Sequence, residues 1–171
     1  NTPCMRIYLV RHGKAADEGY RHDEDRPLTD EGRVLMRRTA KAWAKLAEGK
    51  EPELWLTSPL VRAVQTCEIA VDAFGADGPV RVTRALVPEG PVSAAASLLD
   101  EEGAPDVVAL VGHEPLMTDL AGFFLGRHWP EGFKKGAVLA LKKTQGEGHA
   151  KFVWYLEPAK DERDPKLRES F

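Results

Sequence analysis

Cysteine is scarce: the chain has 2 in 171 residues, Cys4 and Cys67. That is too few for a disulfide scaffold and fits a reducing, cytoplasmic setting. The two form no Cys-x-x-Cys pair, and neither has an arginine six positions on, so a cysteine-phosphatase arrangement is absent. Cys67 reads as a small core residue. No apolar run approaches the ~20 residues that span a bilayer, and the N-terminus lacks a signal-peptide pattern, so a membrane role is not expected. Net charge is also low. The 24 basic and 27 acidic residues leave −3, which disfavours nucleic-acid binding driven by bulk charge but allows a local cationic pocket. No internal repeat or low-complexity tract occurs, and Gly146-Glu147-Gly148 cannot be a phosphate loop without a lysine and a following helix.

What is present suits one domain. A chain of 171 residues, 43% hydrophobic and 30% charged, can bury a core without staples. The expected domain is 1–171, with a core over about 5–156 and a charged tail at 157–171 that lacks periodicity and reads as poorly ordered. Asn1 to Cys4 precede Met5 and read as a vector remnant or an upstream extension.

Short β-branched runs alternate with amphipathic stretches, the pattern of an α/β/α sandwich around a mostly parallel central sheet. Residues 5–10 read as a first buried strand. Thr29 or Asp30 caps a helix with Leu35, Thr39, Trp43 and Leu46 on one face. Residues 54–57 form a second strand. Ser58-Pro59 then starts a helix carrying Leu60, Val64, Cys67 and Val71. Residues 80–83 are a weaker strand and 91–99 a short helix. The clearest buried strand is 107–111, followed by a helix with Leu116, Met117, Leu120, Ala121 and Phe124 facing inward. Strands at 137–141 and 152–156 flank a hairpin turn around Gly146.

Polar residues follow three of these strands directly: Arg11-His12-Gly13, Ser58 to Arg62, and Gly112-His113. If those strands are parallel, all three lie along the carboxyl edge where open α/β sheets place their ligand crevice. Arg62 falls in the first turn of its helix, and helical side chains lean toward the N-terminus, so its guanidinium reaches over the strand ends. Helix starts add unpaired N–H groups and the positive end of a dipole. Two arginines, two histidines and two helix starts make a site for a dianion.

Leu9-Val10-Arg11-His12-Gly13 resembles the Arg-His-Gly signature of the histidine phosphatase superfamily, the phosphoglycerate-mutase-like fold. Arg26-Pro27-Leu28-Thr29, Ser58-Pro59-Leu60-Val61-Arg62-Ala63-Val64-Gln65-Thr66 and Val111-Gly112-His113-Glu114-Pro115 match in order and spacing. The likeness runs over about 5–156, and the short chain with Arg-His-Gly-Lys-Ala is most similar to the SixA branch of phosphohistidine phosphatases. The resemblance implies that His12 is a nucleophile forming a phosphohistidine intermediate, and that Arg11, Arg62 and His113 hold the phosphoryl oxygens. It implies no metal and no cofactor. Nearby arginines disfavour the imidazolium, leaving a free lone pair near neutral pH.

Glu89, in Ala85-Leu86-Val87-Pro88-Glu89-Gly90, is the candidate general acid, since many relatives carry a carboxylate in that segment. A weak or missing acid tilts the substrate toward phosphohistidine, because imidazole leaves more easily than an alkoxide. The short stretch before the strand at 107 leaves the crevice open to a protein side chain. Lys14 reads as a phosphate contact or a solvated loop lysine. Arg26 either pairs with loop carboxylates at the rim or touches phosphate. Ser58 is a helix cap, a phosphate ligand, or both. His22-Asp23-Glu24-Asp25 reads as a solvated loop, its spacing fitting no metal pattern, and His128 and His149 as surface residues. The expected activity is a phosphatase acting on phosphohistidine in a protein. The alternatives are a phosphomonoesterase for a small metabolite or nucleotide and a non-catalytic phosphate-binding module. Fold kinship alone does not choose among them.

Overall fold

Strand β1 (Cys4–Arg11) sets the layering: Ile7 and Leu9 face one side of the sheet, Tyr8 and Val10 the other, and all four are fully buried. A strand buried on both faces requires helices on both. The computed structural model describes residues 2–171, so Asn1 lies outside it. Cys4 belongs to β1, and the Pro3 carbonyl accepts the Gln145 N–H at 2.9 Å, so both are part of the fold.

Strand β1 pairs in parallel with β4 (Val107–Gly112), which pairs in parallel with β2 (Leu54–Thr57), itself parallel to the short edge strand β3 (Val80–Val82). On its other side β1 meets β5 (Val138–Thr144), then β6 (Lys151–Glu157) and β7 (Lys166–Arg168), each antiparallel to its neighbour. The order is β3-β2-β4-β1-β5-β6-β7, a mixed sheet whose parallel half carries the expected crevice. Helices α1 (Asp30–Leu46) and α2 (Val61–Phe74) cover one face, and α3 (Val92–Glu101) and α4 (Leu116–Leu125) the other. The result is the three-layer α/β/α sandwich.

On the α1–α2 face, Trp43 meets Tyr8, Trp55 and Phe74 edge-on, with centroids 5.2, 5.6 and 5.0 Å apart. Truncating one such buried aromatic costs about 3–5 kcal/mol. Thr29 caps α1, its Oγ1 accepting the Gly32 N–H at 2.9 Å. The buried stripe of α1 is Gly32, Met36, Thr39, Ala40 and Trp43; Leu35 and Leu46 sit at its margin, because a stripe centred on Thr39 and Trp43 turns them outward. All five inward residues expected in α4 are buried.

Two expectations are corrected. Ser58 does not cap α2: that helix starts at Val61 with Leu60 as its N-cap, and Ser58 Oγ instead accepts the Leu60 N–H at 3.2 Å within the Ser-Pro turn. Its buried stripe holds Arg62, Ala63, Thr66, Cys67 and Ala70, with Val64 and Val71 only half-buried. The tail is not poorly ordered. β7 pairs with β6, Phe171 packs against Trp129 and Phe152 at 4.9 and 4.8 Å, and the Arg127 guanidinium lies 4.2 Å over its ring. A three-residue strand has too little period to show in a sequence. Among the described residues, no helix is long and apolar enough to cross a membrane.

Candidate active site

The carboxyl ends of β1, β2 and β4 open into a cleft of about 330 Å³ whose wall includes Arg11, His12, Arg62 and His113. Parallel register does the assembling: Arg11 lies beside Gly112 across β1–β4, and Thr57 beside Val111 across β2–β4. Residues leaving these strands therefore emerge side by side, although more than a hundred positions of chain separate the first from the last. The rings of His12 and His113 come within 5.0 Å, and Arg62 Nε stands 3.4 Å from His12 Nε2.

His12 Nδ1 lies 2.7 Å from the Gly13 carbonyl. A carbonyl only accepts, so Nδ1 carries the proton and Nε2 keeps its lone pair on the Arg62 side. Burial, with Arg62, Arg11 and Lys135 nearby, lowers the His12 pKa from 6.5 to about 4, although the Gly13 bond acts the other way. Burial, then the proximity of His12 and Arg62, lowers His113 to about 3. Both rings are neutral at physiological pH. Gly13 is itself held from behind, its N–H donating to Thr66 Oγ1 at 3.1 Å while that hydroxyl donates to the Arg62 carbonyl at 2.7 Å. Gly32 sits against the Lys14 carbonyl where any Cβ would collide, which lets α1 close on this loop.

Each cation is fixed by an acceptor. Arg11 Nη1 donates to the Phe133 carbonyl at 2.7 Å. Arg62 donates from Nη1 to the Asp23 carbonyl at 2.8 Å and from Nη2 to Asp23 Oδ2 at 3.0 Å. Burial raises the Asp23 pKa, but hydrogen bonds from Arg26 and Arg62 outweigh it and leave the carboxyl below its ordinary value. Ser58, fully buried, places Oγ 2.8 Å from His113 Nε2. His113 Nδ1 and Arg11 Nε are buried without a partner among the described residues.

The remaining candidates divide. Glu89 lines the cleft and is exposed. Arg26 lines it too, with Nε 2.9 Å from Asp23 Oδ1 and Nη1 2.6 Å from the Ala16 carbonyl, which makes it a rim residue paired with a loop carboxylate. Lys14 is not brought to the cleft: Nζ pairs with Glu31 at 2.5 Å and faces a neighbouring groove. Ser58 stands behind His113 and does not line the cleft.

Sequence reasoning missed Asp23, Glu114 and Lys135 in the cleft wall. Asp23 belongs to the run read as a solvated loop; it forms a 3-10 turn (Asp23–Asp25) packed on α2. Glu114 accepts from the Thr118 N–H at 2.9 Å and hydroxyl at 2.5 Å, and from the Phe133 N–H at 3.3 Å. It thereby ties the start of α4 to the segment that holds Arg11. His22 to Asp25 does not gather a metal-binding set: among the described residues, no group of three or more His, Cys, Asp or Glu side chains is placed to hold an ion.

A sandwich of this topology with two arginines converging on two neutral histidines defines a phosphoryl-handling site, and comparisons with known proteins agree. Residues 7–87 match the model of the histidine phosphatase superfamily (branch 1). An uncharacterised protein of Picosynechococcus sp. is 42% identical over 145 residues, 81% of this chain and 85% of that one. The phosphohistidine phosphatase SixA of Escherichia coli is 31% identical over 157 residues, 90% of this chain and 94% of its own. A structure of the protein histidine phosphatase SixA complexed with tungstate superposes with a TM-score of 0.76 at 31% identity, over 88% of this chain and 96% of that one. The chain belongs to the histidine phosphatase superfamily, in the branch that includes SixA. A phosphoglycerate mutase from Bacillus anthracis, 13% identical with a TM-score of 0.70, shares the fold alone.

Proposed function

We propose that this chain hydrolyses phosphohistidine in a protein substrate through a phosphoryl-His12 intermediate. The observation that carries the proposal is the His12 ring, neutral, with Nδ1 tied to the Gly13 carbonyl and Nε2 turned toward Arg62. In the first step Nε2 attacks phosphorus as the P–N bond to the substrate breaks. The departing imidazole leaves with the bond's electron pair and takes a proton from solvent. Water then attacks phosphoryl-His12, releasing inorganic phosphate and restoring the ring. Arg11, Arg62 and His113 hold the non-bridging oxygens, whose charge is greatest in the transition state. The SixA structure complexed with tungstate, a tetrahedral oxyanion like phosphate, supports an anion site of this kind.

The carboxylates favour an easy leaving group. Asp23 is held ionised by two arginines and has no proton to give, and both Glu114 oxygens are occupied by bonds from Thr118 and Phe133. An alkoxide needs that proton, whereas an imidazole whose conjugate acid titrates near ~6.5 does not. One observation favours the second reading, a phosphomonoesterase for a small metabolite or nucleotide: Glu89 lines the cleft, where a carboxyl can reach a leaving group. A panel of phosphohistidine protein, sugar phosphates and nucleotides at matched concentration separates the two. The first reading expects the highest kcat/KM for phosphohistidine and little change in Glu89→Gln. A preference for alkyl phosphates that Glu89→Gln abolishes would establish the second.

A further inference from the structure

A second groove of about 490 Å³ runs beside the catalytic cleft, and Lys135 lines both. Its outer wall is the segment between β6 and β7, including Lys160, Asp161 and Arg163, with Lys166 of β7. This wall is built rather than loose. The Ala159 N–H donates to Thr39 Oγ1 at 3.0 Å, and Arg38 donates to the Asp161 and Arg163 carbonyls at 2.5 and 2.8 Å.

Charge within the groove is unbalanced. Glu31, Glu157 and Asp164 are committed to Lys14, Lys134 and Arg38 at 2.5, 2.7 and 3.4 Å. Among the described residues, no carboxylate lies within 4.0 Å of Lys135, Lys160, Arg163 or Lys166, all of them exposed. Glu157 also stands opposite Lys166 across β6–β7, and Asp161 is the remaining carboxylate, so the lining carries six cations against four carboxylates. In a chain whose net charge is −3, this is a local cationic strip.

We infer that the strip docks an acidic segment flanking the phosphohistidine of a protein substrate, an inference that rests on the function proposed above. With the phosphorylated side chain against His12, the adjoining backbone leaves the cleft past Lys135, and Asp or Glu side chains in that stretch meet Lys160, Arg163 and Lys166. Rim charges of this kind govern encounter and its salt dependence more than the chemical step. The strip therefore acts on KM and leaves kcat alone.

The test uses the full chain and two charge-reversed forms, Lys160→Glu with Lys166→Glu, and Lys160→Glu with Arg163→Glu, the latter pair lying outside every strand. Substrates are phosphohistidine peptides with Asp/Glu-rich or Gly/Ser flanks, and p-nitrophenyl phosphate, which fills only the cleft. Both variants are expected to raise KM for the acidic peptide about tenfold. They should leave kcat, the Gly/Ser peptide and p-nitrophenyl phosphate unchanged, and arginine in place of each lysine should restore KM. Equal effects on both peptides, no effect, or a parallel loss with p-nitrophenyl phosphate would overturn the inference. If the wild-type chain cleaves p-nitrophenyl phosphate but neither peptide, the proposed substrate is wrong. Fluorescence anisotropy of an unphosphorylated acidic peptide then decides the groove by itself: binding lost in the variants upholds it, and absence of binding to wild type refutes it.

Discussion

Ser58 acts through a neighbour. Its hydroxyl already accepts from the Leu60 N–H and faces His113 Nε2, so its own proton is free to go to that nitrogen. With the proton on Nδ1, the buried nitrogen with no protein partner among the described residues, His113 would donate to a phosphoryl oxygen in the mechanism proposed above. Removing such a donor costs about 10²–10³ in rate, and loosening its support about 10–100-fold. Ser58→Ala is therefore expected to lower kcat about tenfold, and to add nothing in a His113→Ala background. Additive losses in the double variant would show that Ser58 acts elsewhere. The four cleft residues Arg11, His12, Arg62 and His113 were legible because each ends or follows a strand or opens a helix inside a recognisable motif. Asp23 was not. Its partner Arg62 lies 39 positions away, and an acidic run looks the same in sequence whether it meets water or a guanidinium.

At the scale of elements, periodicity announced what packing then used. Short apolar runs marked β1 and β4 as buried strands, and Thr29 or Asp30 before an amphipathic stretch marked the start of α1. Two kinds of element escaped. β7 is too short to carry a period, and Phe171 is anchored by aromatic contacts with Trp129 and Phe152 that no local pattern records. The start of α2 was misplaced because Ser-Pro is a strong opening signal, yet here the serine is committed to His113 and the helix begins three residues later. A local rule yielded where the site needed the side chain. The antiparallel half of the sheet does more than close the edge: the Gly136 N–H, just before β5, reaches the Arg11 and His12 carbonyls at 3.0 and 2.9 Å and holds the end of β1 in place.

The whole molecule bears a stability cost for keeping two histidines neutral. Their folded pKa values, about 4 and about 3, lie below the unfolded value near 6.5. As pH falls below 6.5 the unfolded chain takes up protons that the folded one refuses, so stability drops. Between pH 6.5 and 5, above the usual carboxylate range, the loss is about 1.5 kcal/mol per histidine. Urea unfolding at pH 6.5 and 5 should show this loss in wild type and a flatter profile in His12→Asn with His113→Gln. An identical slope in that double variant would mean that both rings titrate normally.

The intermediate itself offers the most direct measurement. The wild-type chain, mixed with phosphohistidine peptide and quenched in alkali during turnover, is digested and analysed by mass spectrometry. Phosphate is predicted on the His12 peptide, acid-labile and alkali-stable, and absent in His12→Ala, which should not turn over. Phosphate on another residue, or undiminished turnover in His12→Ala, would contradict the account.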